Sequence, residues 1–147
     1  MRPSRSRSFP IAAENQEVPR ARRLVLAVVR SWNLQLTSET LEELALLCSE
    51  IITNAVQHTA GPCTLTVLWT GSRLRVEVTD TAPELPAPRD CTLNAESGRG
   101  LMLITSIADD WGSTLTPTGK TVWFEMVPAT TVSIEENAHC RAVSLLP

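Results

Sequence analysis

Apolar positions along the chain change their period once, and that change separates a helical part from an extended part. From Pro19 to about Trp32, Leu24, Val25, Val28 and Val29 recur at helical spacing, with proline in the first turn where its missing N–H costs nothing. A second helix follows the Thr37–Ser38 turn. Leu41, Leu44, Leu47, Cys48, Ile51, Ile52, Ala55 and Val56 give it a broad apolar face. Thr40 with Glu43 three residues on predicts a capping box at its start, and Gly61-Pro62 predicts its end near His58–Gly61. The period then drops to two. Thr64 to Thr70 alternates, Gly71-Ser72 is a two-residue hairpin turn, and Leu74, Val76 and Val78 alternate with Arg75, Glu77 and Thr79. Further strands are predicted near Phe9–Ala12, around Trp111–Thr116 and over Thr121–Val127, the last two joined by a turn at Pro117–Gly119.

Between Thr81 and Ser97 the chain is rich in proline and polar residues and has no sustained period. A stretch of that length inside a compact domain is usually functional or without fixed structure. It is expected to act as a lid that a ligand orders. Gly98-Arg99-Gly100 then opens a short helix through Leu101, Met102, Leu103, Ile104 and Ile107. The expected organisation is a basic arm over 1–8, one domain over 9–128 and a tail over 129–147. The expected fold is α+β: a two-layer sandwich with helices on one face of a mostly antiparallel, mixed sheet.

Composition narrows the function classes. A chain of 147 residues, 43% hydrophobic and 20% charged, has the balance of a single globular domain. Its net charge of −3 makes no global case for nucleic acid. Arg2, Arg5 and Arg7, followed by Arg20, Arg22, Arg23 and Arg30, concentrate basic charge near the start. Such an arm contacts nucleic acid or an acidic partner, or is a solvated terminus. Cys48, Cys63, Cys91 and Cys140 form no C-x-x-C pair, and His58 and His139 complete no zinc spacing. The N-terminus lacks the apolar region of a secretory signal, and Leu24 to Val29 is too short to cross a bilayer. A cytoplasmic chain without membrane association is expected. Thr118-Gly119-Lys120-Thr121 ends like a phosphate-binding loop, but the loop's first glycine would fall on Thr114 and a strand follows where a helix is required. Trp111 and Trp123, at strand positions, read as core.

The second helix carries one unusual feature. Glu50 and Asn54 lie four residues apart on one face, and His58 continues the line. That stripe is either an ordinary solvated edge or a carboxylate and an amide oxygen presented together to a metal and a reacting group. The segment Glu50-Ile51-Ile52-Thr53-Asn54-Ala55 resembles the N box of the GHKL ATPase superfamily, in the form found in its anti-sigma-factor serine/threonine kinases. Val76 to Asp80, a strand ending in aspartate, is similar to the superfamily's G1 box. Gly98-Arg99-Gly100-Leu101 resembles its G2 box. Thr121, after Gly119-Lys120, matches the threonine that ends the series. The four motifs occur in the family's order over roughly Phe9 to Val127.

The resemblance implies a Bergerat-type ATP-binding fold, with ATP and Mg²⁺ as cofactors. Asn54 would supply an oxygen to Mg²⁺, which prefers hard oxygen ligands, and Glu50 would be the general base for an attacking hydroxyl. Asp80 would accept the 6-amino hydrogens of adenine, with Thr121 holding a water or the base edge beside it. Gly98, Gly100 and Leu101 would open a phosphate-binding helix N-terminus, to which Arg99 either adds a charged bond or remains solvent-facing. The implied partners are a sigma factor and an anti-anti-sigma protein of the STAS type, and the family suggests a homodimer. One departure stands out. Asp80 is followed by Thr81-Ala82-Pro83-Glu84, without the glycine the superfamily usually places there.

Overall fold

The computed structural model describes residues 4–58, 61–80, 104, 106–117 and 119–129. In chain order the elements are β1 (Arg5–Ile11), α1 (Glu17–Ser31), α2 (Ser38–His58), β2 (Cys63–Trp69), β3 (Leu74–Asp80), β4 (Asp110–Thr116) and β5 (Gly119–Met126). The strands form a five-stranded sheet in the order β1-β2-β3-β5-β4. Every strand pair described is antiparallel. The sandwich is therefore α+β as expected, though the described sheet is antiparallel throughout rather than mixed. No helix among the described residues is long and apolar enough to cross a membrane.

Alternation decides which side of the sheet meets the helices. Cys63, Leu65, Val67 and Trp69 of β2 and Leu74, Val76 and Val78 of β3 are all buried, as are Phe124 and Met126 of β5. Against them lie Ala21, Val25, Val28 and Val29 of α1 and Leu44, Leu47, Cys48, Ile51, Ile52 and Val56 of α2. Each such side chain contributes roughly 1.5–3 kcal/mol by leaving water, so this single layer of contacts holds the sandwich together. Burial also pushes the Cys48 thiol well above its ordinary range, which leaves it an inert core group.

The opposite sheet face is polar and pairs with itself. Arg75 donates to Glu77 at 2.6 Å and to Glu125 at 3.1 Å, and Arg73 reaches Glu125 at 3.2 Å. The Arg75 guanidinium sits 4.0 Å from the Trp123 ring centroid. Trp123 is thus a platform on the outer face, and Trp111 is 37% exposed; neither is the core residue its strand position suggests. Burial opposes the Arg75 charge, but Glu77 and Glu125 more than offset it and raise its pKa. Gly112, paired with Trp123, leaves room for that ring, since a Cβ there would lie 2.8 Å from it.

The chain connections differ from expectation at both ends. β1 begins at Arg5, so residues 5–8 of the expected arm form a ladder with Val67, Leu68, Trp69 and Thr66 of β2. Alternating Arg and Ser gave no apolar signal there because the strand is an edge with exposed side chains. α1 starts at Glu17, two residues before Pro19, which still falls in the first turn. It stops where Asn33 takes φ 53°, a left-handed conformation that asparagine tolerates.

At α2 the cap is Thr37, not Thr40. The Thr37 hydroxyl oxygen accepts the Thr40 N–H at 3.1 Å. Thr40 is buried for another reason: its hydroxyl donates to the Ala129 carbonyl at 3.1 Å and accepts the Ala129 N–H at 3.2 Å. Thr37 N–H also donates to that carbonyl. Ala129, expected to begin the tail, is thus fastened to the first turn of α2. Replacing Thr40 by the isosteric valine should leave the Ala129 N–H unsatisfied and cost about 1–3 kcal/mol. Urea unfolding of the two proteins measures that difference directly.

Candidate functional site

The order of the strands shapes one end of the sandwich. β3 and β4 run in the same direction but are separated by β5. The connection between them leaves the sheet at Asp80 and returns at Asp110, which lies in the Glu125–Arg75 row at the far end. A chain joining parallel strands must cross the sheet. Ile104 is buried in the core on the helix side, and Ala108 N–H donates to its carbonyl, so the last part of this crossing is helical. Gly98, Arg99, Gly100 and Leu101, and the expected lid over 81–97, lie outside the described residues.

Asp80 continues the buried row of Leu74, Val76 and Val78 and is only 8% exposed. Thr40 is the only other buried polar residue among those described, and its partners at Ala129 explain it. A buried carboxylate needs interacting partners, and Asp80 is itself engaged in an interaction. Such a position suits an acceptor that reads a ligand edge. Its register partners are Cys63 on β2 and Lys120 on β5.

Glu50 and Asn54 occupy the second half of α2, the helix that lies against β3. Both are partly exposed beside the buried stripe of Ile51, Ile52 and Val56. One turn apart on one face, they offer a carboxylate and an amide oxygen to the same volume of solvent. On the preceding residue, Ser49 receives a hydrogen bond of 3.0 Å from Arg22, which ties this part of α2 to α1. Among the described residues no three His, Cys, Asp or Glu side chains gather as a metal cage. Mg²⁺ needs no such cage, because one or two protein oxygens with phosphate and water complete its shell.

Thr121 is not where its assigned role requires. It is paired with Thr79, and their hydroxyls lie 3.0 Å apart. That places it on the outer face, whereas Asp80 faces the helices. Lys120 is the residue directly across from Asp80. The signal was present in the chain: Val122, Phe124 and Met126 are in phase with Lys120, and Thr121 is out of phase with them.

The family model for the histidine kinase-like ATPase domain matches residues 11–126. The chain belongs to that family, whose domain is an ATP-binding kinase-like or ATPase-like unit. Among solved structures, the RsbU and RsbW domains of Rv1364c from Mycobacterium tuberculosis superpose with a TM-score of 0.58 at 16% identity. That match covers 84% of this chain and 32% of the other. The histidine kinase domain of the blue-light activated histidine kinase from Erythrobacter litoralis EL346 superposes with a TM-score of 0.51 at 21% identity. Here 80% of this chain and 61% of the other are covered. At these identities the likeness is one of fold. No curated protein matches the sequence.

Proposed function

We propose that this chain is an ATP- and Mg²⁺-dependent serine/threonine protein kinase of the anti-sigma-factor type. It would regulate transcription by switching between a sigma factor and a STAS-type anti-anti-sigma protein. The observation that carries the reading is the Glu50–Asn54 face of α2, set in a family fold whose β3 ends in the buried Asp80. In this reading Asp80 accepts the adenine 6-amino group and Asn54 gives its amide oxygen to Mg²⁺. Glu50 takes the proton from an attacking serine hydroxyl. Bound ATP supplies the transferable phosphoryl group. The anti-sigma assignment rests on the resemblance of Glu50 to Ala55 to the N box in the form found in those kinases. Transfer of labelled phosphate from ATP to a serine of an anti-anti-sigma protein tests the proposal, and a failure of transfer with every such candidate would remove it.

A second reading has its own motive in the sequence. Without glycine after Asp80, the loop has less freedom to approach a base closely, and the chain would act as a nucleotide-dependent binding module that performs no transfer. ATP-dependent capture of the partner with no labelled product identifies that case. Release of phosphate with no partner present would instead mark a free-standing ATPase.

Two substitutions separate metal binding from chemistry. Asn54→Ala should weaken Mg·ATP binding by at least about tenfold, the worth of one charged contact. As a partly exposed residue, it should leave unfolding within about 0.5 kcal/mol of the parent. Calorimetric titration with Mg·ATP, alongside thermal melting, reads both. Glu50→Ala should hold ATP affinity within a few-fold. It should slow single-turnover transfer by about 10²–10⁴-fold, the usual contribution of a positioned base. An unchanged rate would return Glu50 to the solvated edge of its helix.

A further inference from the structure

We infer that Lys120 is a base-reading residue of the nucleotide pocket, acting as the donor that complements the acceptor Asp80. The inference rests on the ATP-binding reading above and assigns that site a residue the motif comparison passed over. Three observations carry it. Lys120 and Asp80 are direct register partners on adjacent antiparallel strands, a relationship that brings Cβ atoms to about 4.5–5.5 Å. Lys120 is in phase with Val122, Phe124 and Met126, so it shares the helix-side face with Asp80, while Thr121 lies opposite with Thr79. Lys120 is also partly buried, and among the described residues it takes part in none of the ion pairs.

The chemistry of the pair matches one edge of adenine. A carboxylate only accepts and an ammonium only donates. The Watson–Crick edge of adenine presents a donor, the 6-amino group, beside an acceptor, N1. With Asp80 taking the amino hydrogens, the ammonium of Lys120 is placed to donate to N1. A threonine hydroxyl in its place would do this only weakly or through water, being neutral and short. The charged donor makes N1 a strong determinant of affinity in this chain, and a hydrogen bond to a charged group is among the stronger ones.

The test compares ATP with 1-deaza-ATP, in which a carbon replaces N1. Each nucleotide is titrated calorimetrically into the parent, Lys120→Met and Thr121→Val. The parent should bind ATP about 10–100-fold more tightly than 1-deaza-ATP. Lys120→Met should lose about that factor for ATP, lose little for 1-deaza-ATP, and melt as the parent does. Thr121→Val should bind ATP as the parent does. If Lys120→Met retains full ATP affinity, the lysine does not touch the nucleotide. If it loses affinity equally for both nucleotides, it serves the phosphates or the general field, and the base-reading role is overturned. A parent that binds no ATP would remove the underlying site, and this assignment with it.

Discussion

Packing of the apolar stripe of α2 against β3, in a core shared with α1 and the inner rows of β2 and β5, governs the rest of the molecule. Ile51, Ile52 and Val56 are buried in the same core as Val76 and Val78 of β3 and cannot leave it without exposing apolar surface on both elements. The helix is therefore fixed in rotation, and Glu50 and Asn54 are fixed at its flank. The sheet obeys the same constraint from its own side. With one face covered, a shift of one residue in any strand would turn its apolar set outward. The burial of Val76 and Val78 thus carries Asp80 inward as the next residue in phase. Positions of candidate chemistry in this fold are consequences of where the oil goes.

Most of the architecture was legible in the chain because its strongest signals are periodic. Both helices, the Gly71-Ser72 hairpin, with Gly71 at φ 101°, and the inner rows of β2 and β3 follow from apolar spacing. What escaped were features with no apolar signature. β1 extends back to Arg5 through exposed side chains, held by backbone pairing to β2. At α2 two hydroxyl residues competed for the cap. Local spacing favours Thr40 with Glu43, but only the fold reveals that Thr40 is engaged with Ala129, 89 residues away. For the candidate site, motif and phase together predict where Glu50, Asn54 and Asp80 lie in the fold: the first two at the flank of the buried stripe of α2, the third at the inward end of β3. The motif points to Thr121, while strand phase puts it beside Thr79 on the outer face and Lys120 across from Asp80.

The outer face answers a different demand. A two-layer sandwich leaves one side of its sheet in water, and a flat apolar surface there would invite association. Here Arg75 lies over Trp123 and holds Glu77 and Glu125, while Ser8 and Thr66 bond to each other nearer the β1 edge at 2.9 Å. Charge and hydroxyl pairs cover the ring instead of a helix. The edge strand β4 keeps Trp111 and Leu115 exposed, both on the helix side by their pairing with Phe124 and Lys120.

The clasp at Ala129 has a mechanical meaning. α2 contains 21 residues, a rod of about 30 Å at 1.5 Å per residue. Its first turn is buttoned to the chain leaving β5, and its later turns carry Glu50 and Asn54. A rod held by one end transmits twist and tension to the other, so any load on the chain just beyond Ala129 is delivered to the helix that bears the proposed chemistry. An expression boundary drawn at residue 128 would cut the button from the rod. Ala129, two residues past the strand pattern that ends at Val127, thus belongs mechanically with α2 through a hydrogen-bonded fastening.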